Sequence, residues 1–137
     1  MKLDHVGIFT GHPRRMLTFY LNKLGFKKDY QTILSDDVVF SIFRVRRSCH
    51  MVRLSCDETR VEIFWFSAGR HPASRLAKWA GYNHFSIEVE NKQSFCEKLA
   101  KKSGVRIIRV ERSGSRTYFL EDPDKNLIEI REPPKDK

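Results

Sequence analysis

Cysteine is scarce: Cys49, Cys56 and Cys96 are the only three in 137 residues. They cannot all pair internally, and none stands in a C-x-x-C spacing, so neither a disulfide framework nor a zinc ribbon is supported. Buried thiols are the expectation. Long apolar runs are also missing, and none approaches the roughly 20 residues that a membrane-spanning helix needs. Met1-Lys2-Leu3-Asp4-His5 does not open like a signal peptide, and a cytoplasmic location is expected. Acidic residues are in the minority, 17 against 26 Lys and Arg, which leaves a net charge of +9. That balance suits an anionic partner. The cations are nevertheless scattered, from Arg14-Arg15 through Lys27-Lys28 and 44–47 to 98–102 and 106–112, with no element that gathers them beside stacking aromatics. Nucleic acid is therefore not expected as a partner; the cations read as solvated surface, with a small anionic substrate as the functional alternative.

What is present is a globular balance, 40% hydrophobic and 31% charged, in a chain long enough for one domain with a sizeable core. In 3–10, Val6 and Ile8 alternate with His5, Gly7 and Phe9, the period of a strand. Pro13 opens a helix in which Met16, Leu17, Tyr20, Leu21 and Leu24 recur at helical spacing until Gly25 stops it. A strand is expected over 26–34. Ser35-Asp36-Asp37 suits a helix cap, although Val38, Val39 and Ile42 also permit a strand; the helix is preferred. Strands follow over 50–56 and 60–66, joined by a turn at Asp57-Glu58-Thr59. Segment 67–82, interrupted by Gly69, Pro72 and Gly81 around a possible short helix, Ser74 to Trp79, reads as a connector. A second series then begins: strand 83–90, a helix carrying Phe95 and Leu99, strands 105–110, 116–120 and 126–131, and a frayed tail from Glu132.

The two series are numerically related. Adding 79 to His5 gives His84 and to Gly25 gives Gly104; adding 67 to Val61-Glu62-Ile63 gives Ile128-Glu129-Ile130. The difference of 12 falls in the segment around 36–47. This predicts an α+β fold of two βαβββ modules forming a curved mixed-sheet cup, one domain over 1–137. The first module is 3–66 with an insert at about 36–47, the connector is 67–82 and the second module is 83–132. His5, Glu62, His84 and Glu129 occupy pseudo-equivalent positions on the strand faces opposite the apolar side chains. A lone histidine or glutamate on a strand is ordinarily structural, but four at repeat-related sites form a set of two imidazoles and two carboxylates suited to one divalent metal, with open positions for substrate. A metal would also compensate the desolvation of Glu129 between Ile128 and Ile130.

At these residues the chain resembles the vicinal oxygen chelate superfamily, to which glyoxalase I, methylmalonyl-CoA epimerase, extradiol dioxygenases and fosfomycin-resistance transferases belong. The resemblance runs from Leu3-Asp4-His5-Val6-Gly7-Ile8 through Asn83-His84-Phe85 to Glu121-Asp122-Pro123-Asp124 and Ile128-Glu129-Ile130. It is similar in ligand pattern to small glyoxalase I enzymes, which hold a metal by His, Glu, His and Glu in this order; this implies His5, Glu62, His84 and Glu129 as ligands of zinc, nickel, cobalt, manganese or iron. The epimerase has Gln where Glu62 stands, and the dioxygenases and fosfomycin enzymes use only His, His and Glu. A lyase or isomerase that transfers a proton next to a carbonyl through an enediolate is implied, with Glu62 or Glu129 as the base and Glu129 favoured. Two alternatives stay open: an Fe(II) ring-cleaving dioxygenase using His5, His84 and Glu129, and a metal-free small-molecule binding or resistance protein. Small glyoxalase I enzymes hold the glutathione carboxylates with an Arg and an Asn where this chain has Phe9 and Phe66, so glutathione is not implied. Arg53 and Arg131 are candidate anchors for an anionic substrate. A homodimer is expected, with the ligand set completed within one chain or between two.

Overall fold

The structure, a computed structural model, describes residues 3–67, 82–112 and 114–133. The chain divides into two compact units, Met1–Ser74 and Arg75–Lys137, with the boundary inside the expected connector. The helix expected within Ser74 to Trp79 lies outside the described residues.

In the first unit β1 (Val6–Phe9) is followed by α1 (Pro13–Thr18), β2 (Lys27–Leu34), α2 (Asp36–Phe43), β3 (Cys49–Cys56) and β4 (Thr59–Phe66). The second unit contains β5 (His84–Glu88), α3 (Lys92–Ala100), β6 (Arg106–Arg112), β7 (Ser115–Glu121) and β8 (Leu127–Arg131). Each unit has one four-stranded mixed sheet, ordered β1-β4-β3-β2 in the first and β5-β8-β7-β6 in the second. Each opening strand runs parallel to the last strand of its unit, with the other pairs antiparallel. The repeat extends to the register: Gly7 pairs with Glu62 and Ser86 with Glu129, again 79 and 67 residues apart. Two α+β units of the same topology are what the sequence offsets require.

The first helix departs from the expected single α-helix. Past Thr18 it widens into a π-helical stretch, Phe19–Lys23, closed by a hydrogen bond from Leu24 N to Phe19 O of 3.1 Å. Phe19 and Tyr20, three and four residues after Met16, are both buried with it, whereas the expected apolar stripe held only Tyr20 of the two. Gly25, at φ +80°, then lets Phe26 N return to Tyr20 O and starts β2. α1 packs on β4, and Met16 and Tyr20 are fully buried together with Leu54, Val61 and Ile63 of the apolar sheet face.

The expected helix at 36–43 forms. Asp36 and Asp37 lie in its first turn, where the exposed backbone N–H groups favour negative charge, while the side chain of the N-cap residue Ser35 makes no capping bond. Of its apolar residues Val39 is buried and Phe43 half-buried, packed with Met51, Phe64 and Phe66; Val38 and Ile42, expected on the same buried stripe, are exposed. The reason is the i, i+4 spacing of Val39 and Phe43, which admits only one narrow edge of the helix to the sheet. Alternation along β4 puts Phe64 and Phe66 on the face of Glu62. That face is therefore aromatic at one end and ionic at the other.

In the second unit Asn91 caps α3 by accepting from Ser94 N at 2.8 Å, and Glu132 Oε1 accepts from Lys92 N at 3.0 Å. Glu132 is thus tied to the helix and is not the start of a frayed tail; residues 134–137 lie outside the described residues. Cys96 and Leu99 are buried, as are Tyr118, Leu120, Ile128 and Ile130. The turn that delivers β8 is built by Asp122, only 2% exposed. Its Oδ1 accepts from Asp124 N and Asn126 N and its Oδ2 from Asn126 Nδ2, each at 2.9 Å. Asp122→Ala orphans these donors and should destabilise the protein by about 2–4 kcal/mol, read as a lower urea midpoint at unchanged slope.

Candidate metal centre

His5 immediately precedes β1 and Glu62 lies in β4, two strands hydrogen-bonded in parallel. Because Gly7 pairs with Glu62, His5, two residues earlier, shares the face of the carboxylate. His5 Nε2 stands 3.3 Å from Glu62 Oε2. The other ring nitrogen, Nδ1, is 2.8 Å from Asp4 Oδ2, and a carboxylate can only accept, so the ring proton belongs on Nδ1.

The second unit repeats the arrangement. His84 Nε2 is 3.6 Å from Glu129 Oε2, and Nδ1 of His84 donates to Asn83 Oδ1 through a short bond. Asp4 and Asn83 were not singled out in the sequence, yet they too are separated by 79 residues. Applying the offset to the neighbours of each histidine would have found them. In both units the residue before the histidine turns Nε2, with its lone pair, toward the glutamate.

Two acceptors facing each other at these distances repel unless a cation lies between them, a second ring proton or a metal ion. Bonds of 2.0–2.2 Å to nitrogen and oxygen place neighbouring donors of an octahedral or tetrahedral metal about 2.8–3.6 Å apart. The first pair, at 3.3 Å, lies within this span and the second, at 3.6 Å, at its upper edge. Each half therefore fits a divalent cation in donor chemistry, in spacing and in the hydrogen bond that orients the imidazole. Among the described residues no three His, Cys, Asp or Glu side chains gather closely enough to hold a metal by themselves. The structure brings the four expected ligands together as two pairs, one in each unit.

The two carboxylates differ in surroundings. Glu62 is 6% exposed, and directly across the β3–β4 ladder stands Arg53. Arg53 donates to Glu62 Oε1 from Nε at 2.9 Å and from Nη2 at 2.7 Å, and its Nη2 lies 3.4 Å from Asp4 Oδ2. This bonding to Glu62 pushes the guanidinium still higher than its ordinary range, and the bond from His5, assisted by Arg53 and Arg60, holds the Asp4 carboxyl below its own. Arg53, expected as a substrate anchor, thus has its charge matched inside the protein. Across from Glu129 stands Phe119, whose ring meets the His84 ring edge-on at 5.5 Å. The cation near Glu129 is the exposed Arg131, 3.4 Å from Oε1. Glu129 and Arg131 also line a groove of about 350 Å³ in the second unit, shared with Lys92, Arg116, Thr117 and Glu132.

Phe9 and Phe66 are stacked at 5.2 Å and join Phe43 and Phe64 in one aromatic group. Gly7 makes room for it, since a Cβ there would meet the Phe64 ring at 3.3 Å.

The glyoxalase/bleomycin resistance protein/dioxygenase superfamily model matches residues 2–130. Comparison with curated protein sequences returns no match. Among solved structures, a glyoxalase family protein from Bacillus cereus is similar at a TM-score of 0.74 with 16% identity, over 96% of this chain and 93% of that one. A trypanothione-dependent glyoxalase I from Leishmania major is similar at 0.65 with 22% identity, over 96% and 86%. The fosfomycin resistance protein FosX from Mesorhizobium loti is similar at 0.59 with 18% identity, over 95% and 90%. At these identities the solved structures speak to the fold, and the family match over nearly the whole length makes the chain a member of the glyoxalase/bleomycin resistance protein/dioxygenase superfamily.

Proposed function

We propose that the two His–Glu pairs, His5 with Glu62 and His84 with Glu129, supply one divalent-metal centre, and that the chain is a glyoxalase-type lyase or isomerase acting on a small molecule. The observation that carries this reading is the repeated anchoring of the imidazoles: Asp4 and Asn83 each hold Nδ1 and leave Nε2 facing a carboxylate oxygen. Zinc, nickel, cobalt, manganese or iron bound there would act as a Lewis acid toward substrate oxygens.

The chain's own residues divide the remaining work. Glu62, with Oε1 committed to Arg53, serves as a fixed donor. Glu129, without a buried cation opposite it, is the base that takes a proton from the carbon next to a carbonyl and returns it to the neighbouring carbon. Phe119 stands across the ladder from that carboxylate, with its ring edge-on to His84. Lys92, Arg116 and Arg131 in the adjoining groove favour a substrate with an anionic group, held by Arg131. The ligand set is completed within one chain or across a homodimer.

Titration of metal-stripped protein with Co²⁺, Ni²⁺, Zn²⁺, Mn²⁺ and Fe²⁺ tests the reading, followed by assay of the loaded forms on a hemithioacetal and an acyl-CoA epimer. The expected result is one equivalent per chain, with His5→Ala and His84→Ala each weakening uptake at least about 100-fold. Absence of uptake by the unaltered protein overturns it. The Arg53–Glu62 bond favours a second reading, in which Glu62 stays with Arg53 and iron is held by His5, His84 and Glu129. Fe²⁺ uptake and oxygen consumption that survive Glu62→Gln would establish that alternative over the first.

A further inference from the structure

We propose that Arg53 is a positioning residue that sets the Glu62 carboxylate for metal binding. This rests on the metal reading above. In the β3–β4 register Arg53 stands directly opposite Glu62, and both Nε and Nη2 donate to the same oxygen, Oε1. Two bonds from a planar guanidinium to one oxygen define the orientation of the carboxylate more tightly than one bond would. They also leave the second oxygen uncommitted to Arg53: Oε2 is the atom that faces His5 Nε2 at 3.3 Å.

Arg53 is itself held by four neighbours. Its Nη2 lies 3.4 Å from Asp4 Oδ2 and 3.3 Å from His5 Nδ1, the guanidinium covers the Tyr30 ring at 5.6 Å from the centroid, and Glu62 takes the inner edge. Asp4 also binds His5 Nδ1 at 2.8 Å and Arg60 Nη1 at 3.3 Å. One connected network therefore orients both donors of the first pair, Asp4 acting on the imidazole and Arg53 on the carboxylate. The positive charge of Arg53 has a second effect. It compensates a nearly buried carboxylate before any metal arrives, so the donor pair is assembled in advance.

The second pair is held more loosely among the described residues: the ring across from Glu129 is that of Phe119, which has no hydrogen bond to give, and the exposed Arg131 reaches Glu129 Oε1 by a single contact of 3.4 Å. The repeat has thus been specialised by one side chain: a rigid carboxylate in the first unit and a less constrained one in the second.

The test is a Co²⁺ titration of metal-stripped protein followed by visible absorption, on the unaltered chain, Arg53→Met and Arg53→Lys, with thermal unfolding of each recorded alongside. Arg53→Met is expected to weaken Co²⁺ binding roughly 10- to 100-fold and to change the energy or intensity of the d–d bands. Arg53→Lys, which keeps the charge and loses the fork, should recover affinity in part while its spectrum stays altered. Variants that match the unaltered chain in both affinity and spectrum overturn the role of Arg53 and leave the metal reading standing. Tighter binding by Arg53→Met overturns it in the opposite sense, by showing that Arg53 competes with the metal for Glu62. If Arg53→Met fails to fold, Arg53→Lys alone decides between these outcomes. An unaltered chain that takes up no Co²⁺ removes the metal reading and this role together.

Discussion

Removing Glu62 should cost the metal-free protein far more stability than removing Glu129. Glu62→Leu leaves Arg53, 23% exposed, without the acceptor of both its Nε and Nη2 bonds, and a clear fall in the urea midpoint is expected. Glu129→Leu removes a carboxylate whose nearest cation, Arg131, is 62% exposed and strongly screened, and the expected change is about 0–1 kcal/mol. Urea unfolding in the presence of a chelator measures both without a contribution from metal. The double variant Arg53→Met/Glu62→Leu should recover much of the loss, so that the two changes are not additive. Equal destabilisation by the two single variants, or additivity in the double variant, would show that the Arg53–Glu62 contact does not stabilise the fold.

Activity should show the reverse order. In the Co²⁺-loaded protein Glu129→Gln keeps a side-chain oxygen in place but cannot accept a proton, and general-base catalysis by a positioned carboxylate contributes about 10²- to 10⁴-fold. A loss of that size is expected in the washout of the exchangeable C–H proton of a hemithioacetal or an acyl-CoA in D₂O, compared at equal bound Co²⁺. Glu62→Gln should instead act mainly through weaker metal binding and be partly restored by excess Co²⁺. Exchange at the unaltered rate in Glu129→Gln would transfer the base to another group.

These opposite expectations arise from a difference that the repeat conceals. Along the chain Glu62 and Glu129 lie in near-identical tripeptides, Val-Glu-Ile and Ile-Glu-Ile, and adding 67 to one position gives the other. In the sheets the residue across from the first is an arginine and from the second a phenylalanine. The register that creates these pairs depends on turns of unequal length: β3 and β4 are separated by Asp57 and Glu58, whereas β7 and β8 are separated by 122–126. A constant offset between strands does not carry across two different turns, so Arg53 could be read as a free cation while it was the partner of Glu62.

The π-helical stretch was hidden for a related reason. Phe19, three residues after Met16, shares its buried face, and nothing in the residue types of 19–23 marks the five-residue hydrogen bond from Leu24 N to Phe19 O. Similarly, Val38 and Ile42 have the apolar character of a buried stripe, but how wide a strip of α2 meets the sheet depends on where Met51, Phe64 and Phe66 stand in space.

By itself the sequence determined the α+β class, the twofold repeat of strand, helix and three strands, and the four candidate ligands, because each is written in local period or in constant spacing along the chain. The tertiary structure alone decided that the candidate residues meet as His5 with Glu62 and His84 with Glu129, that Asp4 and Asn83 turn the imidazoles, and that Arg53 is spent on Glu62. Those are contacts between neighbouring strands or between adjacent side chains in particular rotamers, and their geometry is set by hydrogen-bond register and packing, which residue order does not record.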